Sequence, residues 1–283
     1  MPVTTVAYDG EAHPDRALDV YLPAAAAGGS GVVAVFVHGG AWVAGHRSGY
    51  AFMGEALAAL GVPTVVAGYR LTPKTVAEGS AAPPMQHPMH LRDVAAAVEW
   101  AASDAAAGVL GFAARSLVLV GHSAGAHMVS LLALQAQWLS PRARGLVARV
   151  VGLEGIYSLP ALIAVFPGYV DWFIARTFGV ADSATAAADP DAAAARHAVL
   201  RDASPQHVAL EQREQLAPGI AFVVVHTAAD ELVDMAQATQ FAARLCADGL
   251  PVTEWYDAEG GHDEILKSPA VQAHIASVCR ALP

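Results

Sequence analysis

Apolar residues recur along the chain with two different periods. Short runs rich in β-branched residues predict strands, and between them the apolar positions fall three or four residues apart, as on one face of a helix. After the run SLVLVGH, for example, Met128, Leu131 and Leu132 follow at helical spacing. Strands that alternate with helices predict an α/β fold, a mostly parallel sheet with helices on both faces. The runs that predict strands lie at 32–38, 63–69, 116–122, 149–155, 220–226 and 252–256.

Three other segments depart from this alternation. The run ALDVYLP at 17–23 alternates apolar and polar positions, which predicts an antiparallel strand at the edge of the sheet. Two long excursions, 70–88 and 157–219, follow predicted strand ends, where such segments commonly build a pocket. The sequence contains no internal repeat, so we expect residues 1–283 to form a single domain with a small helical cap or pocket insertion at about 157–219.

The overall charge and the cysteines exclude some classes of protein. Acidic residues number 26 against 16 basic residues, a formal net charge of −10, so we expect no nucleic-acid partner, which would require a basic face. The N-terminus has neither a basic start nor an apolar run, and Pro167 and Asp171 interrupt the most apolar later stretch. The sequence thus predicts no membrane span. Cys246 and Cys279 have no zinc spacing and suit a reducing compartment, so a cytoplasmic location is expected.

The run LVLVGHSAGAHM places a serine where a buried strand meets a helix. Gly121, Ser123 and Gly125 form the pattern GxSxG. In this pattern a sharp strand-to-helix turn strains the backbone of the serine and exposes its hydroxyl at the end of the sheet, so that only small neighbours fit. The following helix directs the positive end of its dipole at negative charge that develops during attack. We therefore predict that Ser123 is a catalytic nucleophile.

A second glycine pair follows an earlier predicted strand. In VHGGAW, successive glycines allow backbone N–H groups to point into a site without interference from side chains. The predicted oxyanion donors are the amides of Gly40 and Ala41, with Gly39 as a further candidate, together with Ala124 just after the nucleophile.

An acid and a base are expected further along the chain. Asp230 lies four residues past a predicted strand, in a loop from which a carboxylate can reach a base, and we favour it as the acid. Asp234 fits better as the cap of the next helix, and Glu154, at the end of the preceding strand, is the alternative. His262 follows the last predicted strand and is the predicted base.

The other histidines near these motifs are interpreted as structural residues. Without a clustered carboxylate, His87 and His90 make a poor metal site, so no metal and no cofactor are predicted. His122 and His127 are interpreted as packing or hydrogen-bonding residues, and His38 as a residue that holds the oxyanion loop.

In this order, HGGAW, YRL, GHSAGAH, GIYSLP, HTAADELV and GGHDEI resemble the kynurenine formamidase (arylformamidase) group of α/β-hydrolases, within the broader hormone-sensitive-lipase-like esterases. The likeness runs from about residue 17 to the end of the chain. It implies an α/β-hydrolase fold with Ser123, Asp230 and His262 as the triad, and Trp42 completes the HGGxW oxyanion motif of the group. We do not expect the long N-terminal cap that is common in the lipase-like branch, because it has no room before Val32.

The resemblance implies hydrolysis of an aryl formamide, N-formyl-kynurenine, to kynurenine and formate. Two alternatives stay open: a general carboxylesterase for short acyl or aromatic esters, and a catalytically silent binding protein, which is disfavoured because no triad member is missing. The expected partner is a small-molecule substrate, and a homodimer stays open. An aromatic leaving group requires an apolar wall, for which we predict contacts from Trp42, Tyr157 and Trp172. The segment from Tyr157 also supplies Phe166, Tyr169 and Phe173.

Overall fold

The apolar runs form eight strands of one sheet in the part of the chain that the structure describes. The structure is a computed structural model, and it describes residues 3–8, 10, 13–24, 31–74, 85–210 and 216–283. The strands are β1 Val3–Ala7, β2 Ala17–Tyr21, β3 Val32–Val37, β4 Thr64–Ala67, β5 Ser116–His122, β6 Val147–Leu153, β7 Ala221–Val225 and β8 Val252–Trp255.

The strand order across the sheet is β1-β2-β4-β3-β5-β6-β7-β8. The six strands from β4 to β8 run parallel, whereas β1 pairs antiparallel with β2 and β2 pairs antiparallel with β4. The prediction of a mostly parallel sheet is therefore confirmed. The prediction that 17–23 is an edge strand is wrong, because β1 covers it. Every residue of β2 is buried, as expected for a strand with a neighbour on each side.

Helices cover both faces of the sheet, as predicted. Side chains alternate along β3, so that Val33, Val35 and Val37 enter one apolar cluster and Val32, Ala34 and Phe36 enter the other. The first cluster is closed by α2, α4 and α10, and the second by α1 and α11. These five helices are α1 Ala51–Ala59, α2 Met89–Ala101, α4 Ala124–Leu134, α10 Met235–Ala247 and α11 Pro269–Arg280.

Shorter helices occupy the remaining connections. The span between β6 and β7, where the sequence predicts a helical insertion, contains α6 to α9 and a π-helical turn at Val170–Ile174. Residues 211–215 of this span, and residues 75–84 of the excursion at 70–88, lie outside the described residues. The shorter helices are α3 Asp104–Leu110, α5 Pro141–Leu146, α6 Leu159–Val165, α7 Ala175–Phe178, α8 Ser183–Ala188 and α9 Pro190–Asp202, with 3-10 turns at Arg47–Tyr50, Ala136–Trp138, Pro205–His207 and Glu264–Lys267.

Candidate active site

Ser123 occupies a strained turn between β5 and α4. Its backbone has φ +53° and ψ −118°, a region that non-glycine residues rarely adopt. The glycines on both sides are required by close packing: a Cβ on Gly125 would lie 2.1 Å from the Val37 carbonyl oxygen, and one on Gly121 would lie 2.5 Å from the Ala126 nitrogen. Crowding of β3 against the start of α4 therefore holds the serine at the carboxyl end of the sheet.

Asp230 and His262 lie in the loops that follow β7 and β8. His262 Nδ1 is 2.8 Å from Asp230 Oδ2, and both side chains are buried. The other carboxylate oxygen, Oδ1, accepts hydrogen bonds from the amides of Leu232, at 2.8 Å, and Val233, at 2.9 Å. Burial alone would raise the pKa of Asp230, but the bonds from His262 and its other neighbours lower it to about 2. Asp230 is thus an ionised acceptor for the imidazole.

The backbone of the His262 loop is fixed by three further hydrogen bonds. The His262 amide donates to Glu231 Oε2 at 3.2 Å, and Thr227 Oγ1 donates to the Gly260 carbonyl at 2.7 Å. His122 Nε2 lies 2.9 Å from the His262 carbonyl oxygen, so this nitrogen carries a proton and donates. Burial lowers the pKa of His122 to about 3, and the ring is therefore neutral. This contact confirms the interpretation of His122 as a hydrogen-bonding residue.

The two alternative acids have other contacts. Asp234 is the N-cap of α10, where its carboxylate accepts from the Ala236 amide at 3.0 Å, as the sequence predicts. Glu154 follows β6 with φ +48° and is completely buried behind Asp230. Of the three carboxylates considered, the structure thus pairs Asp230 with His262.

The loop after β3 has a left-handed backbone over three successive residues. The φ angles are +103° at Gly40, +52° at Ala41 and +60° at Trp42. A Cβ on Gly40 would lie 2.1 Å from the Ala44 carbonyl oxygen, and one on Gly39 would lie 2.9 Å from the Ser123 Cβ. No group in the described ranges accepts a hydrogen bond from the amides of Gly39, Gly40 or Ala41. These N–H groups are therefore free to bind a ligand, as the prediction of an oxyanion site requires.

The side chains of His38 and Tyr69 fix the backbone of this loop through hydrogen bonds. His38 Nδ1 is 2.8 Å from the Gly39 carbonyl oxygen, and the ring stacks between Tyr50 and Tyr69. The Tyr69 hydroxyl lies 3.1 Å from the carbonyl oxygens of both His38 and Gly39. Burial lowers the pKa of His38 to about 4. The predicted structural role of His38 is confirmed.

A cavity of about 320 Å³ lies where these elements meet. Ser123, His262, Gly40 and Ala41 line it together with a mostly apolar wall. A larger cavity of about 660 Å³, next to the end of α4, contains none of the predicted catalytic residues, so the smaller cavity is the candidate site. The other lining residues are Val43, Ala44, Gly45, Tyr50, Ile156, Tyr169, Trp172, Phe173, Leu232, Val233 and Asp263.

Only one of the three predicted substrate contacts lines this cavity. Trp172 does, and it is 53% exposed. Trp42 and Tyr157 are completely or almost completely buried in the core, which corrects the prediction for both. The Trp42 ring meets His127 and Phe178 edge-on, and Tyr157 stacks on Phe241 at 4.1 Å. A large ring gains more free energy from such complete burial than from a partly hydrated cavity wall.

The aromatic wall belongs to the insertion between β6 and β7. Tyr169, Trp172 and Phe173 come from one irregular turn, and the Tyr169 hydroxyl donates to the Leu232 carbonyl at 3.0 Å. Leu232 and Val233 lie two and three residues after Asp230, so their place on the wall could be predicted from the sequence once Asp230 was chosen. Asp263 follows His262 directly and could be placed in the same way, whereas for Tyr50 and Ile156 the sequence carries no comparable signal.

Comparison with known proteins supports this architecture. A family model described as BD-FAE matches residues 18–148. The kynurenine formamidase of Eremothecium gossypii is 26% identical over 86% of this chain and 91% of its own length. Esterase LipC of Mycobacterium tuberculosis is 30% identical over 76% of this chain, which spans about half (48%) of that protein. The crystal structure of esterase B from Lactobacillus rhamnosis superimposes with a TM-score of 0.73 at 18% identity, over 99% of this chain and 84% of that one.

The sheet order, the turn at Ser123 and these similarities define the class of the protein. The fold is that of the α/β-hydrolases. Within that fold, the chain is similar to kynurenine formamidase and to esterases, and it is a hydrolase. None of the helices in the described part of the chain has both the length and the hydropathy of a membrane span.

Proposed function

We propose that the protein is a serine hydrolase in which Ser123, His262 and Asp230 act as a triad. His262 removes the hydroxyl proton as Ser123 attacks the carbonyl carbon, and Asp230 holds the imidazole and stabilises its cation. The developing oxyanion accepts hydrogen bonds from the free amides of the Gly40 loop and from Ala124. His262 then protonates the leaving group, and water, activated by the same imidazole, releases the acid from the acyl-enzyme.

The observation that carries this proposal is convergence on a single cavity. The serine, the histidine, its aspartate partner and the free amides come from four different loops. The serine, the histidine and the Gly40 loop line the same 320 Å³ cavity. A structural glycine turn would not require an imidazole and a buried carboxylate beside it.

For the substrate we propose a small acyl group on an aromatic leaving group, with N-formyl-kynurenine as the first candidate. The aromatic wall of Tyr169, Trp172 and Phe173 suits an aryl leaving group. The relative from Eremothecium gossypii, named as a kynurenine formamidase, is similar over most of both chains. The reaction would yield kynurenine and formate.

A second candidate, a carboxylesterase for short acyl or aromatic esters, is favoured by the charge of the cavity. Among the described lining residues there is no lysine or arginine, and Asp263 is the one carboxylate. The amino-acid carboxylate of N-formyl-kynurenine would therefore lack a cationic partner on this wall. An uncharged aryl ester has no such requirement.

The experiment compares catalytic efficiency on four aryl substrates that differ in charge, in the bond cleaved and in acyl length. We would measure kcat/KM for N-formyl-kynurenine, for N-formylaniline, which lacks the amino-acid group, and for p-nitrophenyl acetate and octanoate. The formamidase proposal predicts fastest turnover of the formyl substrates. Formyl and acetyl groups should outpace octanoyl, because each misfit methylene costs about 1–3 kcal/mol in transition-state binding.

Two other results would change the assignment. Turnover of N-formylaniline without turnover of N-formyl-kynurenine would retain an arylformamidase but exclude the amino-acid substrate. Rates that rise from acetyl to octanoyl esters, with both formamides untouched, would contradict the formamidase proposal and indicate a lipase-like esterase.

A further inference from the structure

A second carboxylate lies buried directly behind the pair of Asp230 and His262. Glu154 is completely buried, does not line the cavity and has a left-handed backbone with φ +48°. Its Oε2 is 3.0 Å from His226 Nδ1, and a carboxylate oxygen of Glu154 lies within 4.8 Å of one of Asp230. A strained residue that places a carboxyl group in the core requires an explanation, since burial of an unpaired charge is costly.

His226 links the two carboxyl groups. It is completely buried, and its Nε2 is 3.0 Å from the Val233 carbonyl oxygen and 3.6 Å from Asp230 Oδ2. Because a carbonyl oxygen only accepts, Nε2 carries a proton and donates. Nδ1 therefore faces Glu154 either as a second donor to a carboxylate or as an acceptor from a carboxylic acid. In both arrangements one proton is shared between Glu154 and His226.

Glu154 also joins the loop of the acid to the loop of the base. Its two oxygens accept from the Thr227 amide at 3.1 and 3.3 Å, and Thr227 Oγ1 in turn donates to the Gly260 carbonyl, two residues before His262. The Glu154 amide donates to the Val225 carbonyl at 3.0 Å at the end of β7. A single side chain thus fixes the start of the loop that carries Asp230 and, through Thr227, the loop that carries His262.

The protonation of this cluster follows from its surroundings. Burial raises the pKa of Glu154 to about 7, and the adjacent carboxylate of Asp230 acts in the same direction. Burial alone would lower the pKa of His226, but the Glu154 carboxyl beside it holds that pKa above its usual value. The pair of Glu154 and His226 therefore holds one shared proton at acidic pH and releases it as the pH rises.

We propose that Glu154, together with His226, is a positioning residue that holds the Asp230 carboxylate toward His262 Nδ1 and keeps the space behind it electrically neutral. The proposal rests on the triad proposed above. Glu154 does not contact substrate; it acts through Asp230. When the shared proton is lost, a net negative charge appears behind Asp230 and stabilises the imidazolium form of His262.

Several other titratable groups lie around the cluster and the pair of Asp230 and His262. The groups from the neighbouring elements are His262 and His122, Glu231 and Asp263, and the phenols of Tyr157, Tyr169 and Tyr256. Burial holds the pKa of His122 low and the pKa of each phenol high, so these four groups stay neutral near pH 7.

The first test is the pH profile of Glu154→Gln. Glutamine keeps an acceptor for the Thr227 amide and a donor for Asp230, so it mimics the protonated acid and cannot ionise. We expect kcat close to that of the wild type, and the acidic limb of kcat/KM displaced to lower pH by about one unit, since loss of a negative charge behind Asp230 disfavours the imidazolium form of His262. Asp19→Asn is the matched control: this buried carboxylate in β2 lies away from the cavity, and its removal should leave the limb unmoved.

The second test is Glu154→Ala, which removes the anchor of Thr227 and the partner of His226. We expect kcat per active site, counted by covalent labelling of Ser123, to fall about 100-fold through misplacement of Asp230 and His262. KM should be unchanged, because Glu154 does not line the cavity. A residue needed only for stability would lower the number of active sites and leave both kcat and the acidic limb as in the wild type. That pattern would overturn the proposal.

A third measurement separates this proposal from the proposed triad. The pKa of the His262 ring, followed by NMR without substrate, should be lower in Glu154→Gln than in the wild type. If Ser123→Ala retained hydrolysis, the triad would fail, but the NMR titration would still report whether Glu154 acts on His262. An unchanged His262 titration together with an unchanged kcat in both Glu154 variants would contradict the positioning role.

Discussion

The floor and the side wall of the cavity are built in different ways. The floor consists of loops at strand ends, where Ser123, His262 and Asp230 are held by backbone hydrogen bonds and by left-handed backbone at neighbouring positions. The side wall comes from the insertion, where Trp172 is 53% exposed and Tyr169 supplies the hydrogen bond to Leu232. The positions of the floor residues are fixed by the sheet, whereas the wall is formed by side chains whose substitution leaves the sheet unchanged.

This difference separates chemistry from specificity. A change in the floor disturbs groups that must hold their geometry within a few tenths of an ångström. A change in the wall alters what fits without moving the reacting atoms. Substitutions in the two regions should therefore give effects of different size and kind, and the following variants test that expectation.

The largest effect is expected for Ser123→Ala in the floor. Removal of the nucleophile should lower kcat by about 10⁶-fold while the protein stays folded. Ser130→Ala is the matched control, because Ser130 is a buried serine in α4, the helix that follows Ser123, and its hydroxyl has no partner in the described structure. Hydrolysis rates and thermal unfolding of both variants check this. Near-normal turnover by Ser123→Ala would rule out the mechanism.

Asp230→Asn should cost about 10⁴-fold in kcat, because asparagine cannot hold the required tautomer of His262 or stabilise its cation. Asp234→Asn, four residues further on, should leave kcat unchanged and cost at most about 1 kcal/mol of stability, since Asp234 caps a helix. Steady-state kinetics with chemical denaturation distinguishes the two. The reverse ranking would transfer the acid to Asp234.

Gly40→Ala should lower kcat by about 10²–10³-fold, the loss expected when an oxyanion donor is displaced. The added Cβ meets the Ala44 carbonyl at 2.1 Å on a backbone with φ +103°. Gly49 lies further along the connection between β3 and α1, in the 3-10 turn Arg47–Tyr50. A Cβ on Gly49 would meet nothing within 4 Å, so Gly49→Ala should retain wild-type kinetics. Equal kinetics for the two variants would show that Gly40 is not part of the oxyanion site.

The smallest effect on chemistry is expected in the wall. Trp172→Ala should lower kcat/KM about 10-fold for aryl substrates but not for methyl esters, with a change in stability within about 0.5 kcal/mol. Trp42→Ala, in the core, should instead destabilise the protein by about 3–5 kcal/mol. Kinetics on paired aryl and methyl esters, with unfolding curves, would show whether the wall is independent of the fold.

The floor could be predicted from the sequence because its signals are local. A run of aliphatic residues followed by GHSAG requires a strand, a tight turn and a helix, and loops after later parallel strands must reach the same edge of the sheet. The order of strands and loops along the chain was therefore enough to predict that Asp230 and His262 lie near Ser123. Their catalytic roles are part of the proposed function.

The wall could not be predicted in the same way. An aromatic residue has a similar local pattern whether it faces the core or a cavity, so Trp42 and Tyr157 were predicted as wall residues and lie in the core. The strand β1 was missed because it is short and mostly exposed. Glu154 could not be placed, because its partners Thr227 and Asp230 lie more than 70 residues away.

Three buried histidines, two beside the floor and one in the core next to Trp42, also determine how the protein responds to acid. In the folded state, burial lowers the pKa of His38 to about 4, that of His122 to about 3 and that of His127 well below 6.5. The unfolded chain binds protons at these rings below about pH 6.5, so each histidine removes about 1.4 kcal/mol of stability per pH unit from there down to its folded pKa. Proton uptake by the unfolded chain therefore destabilises the fold in acid, and the melting temperature should fall steeply between pH 6.5 and 4.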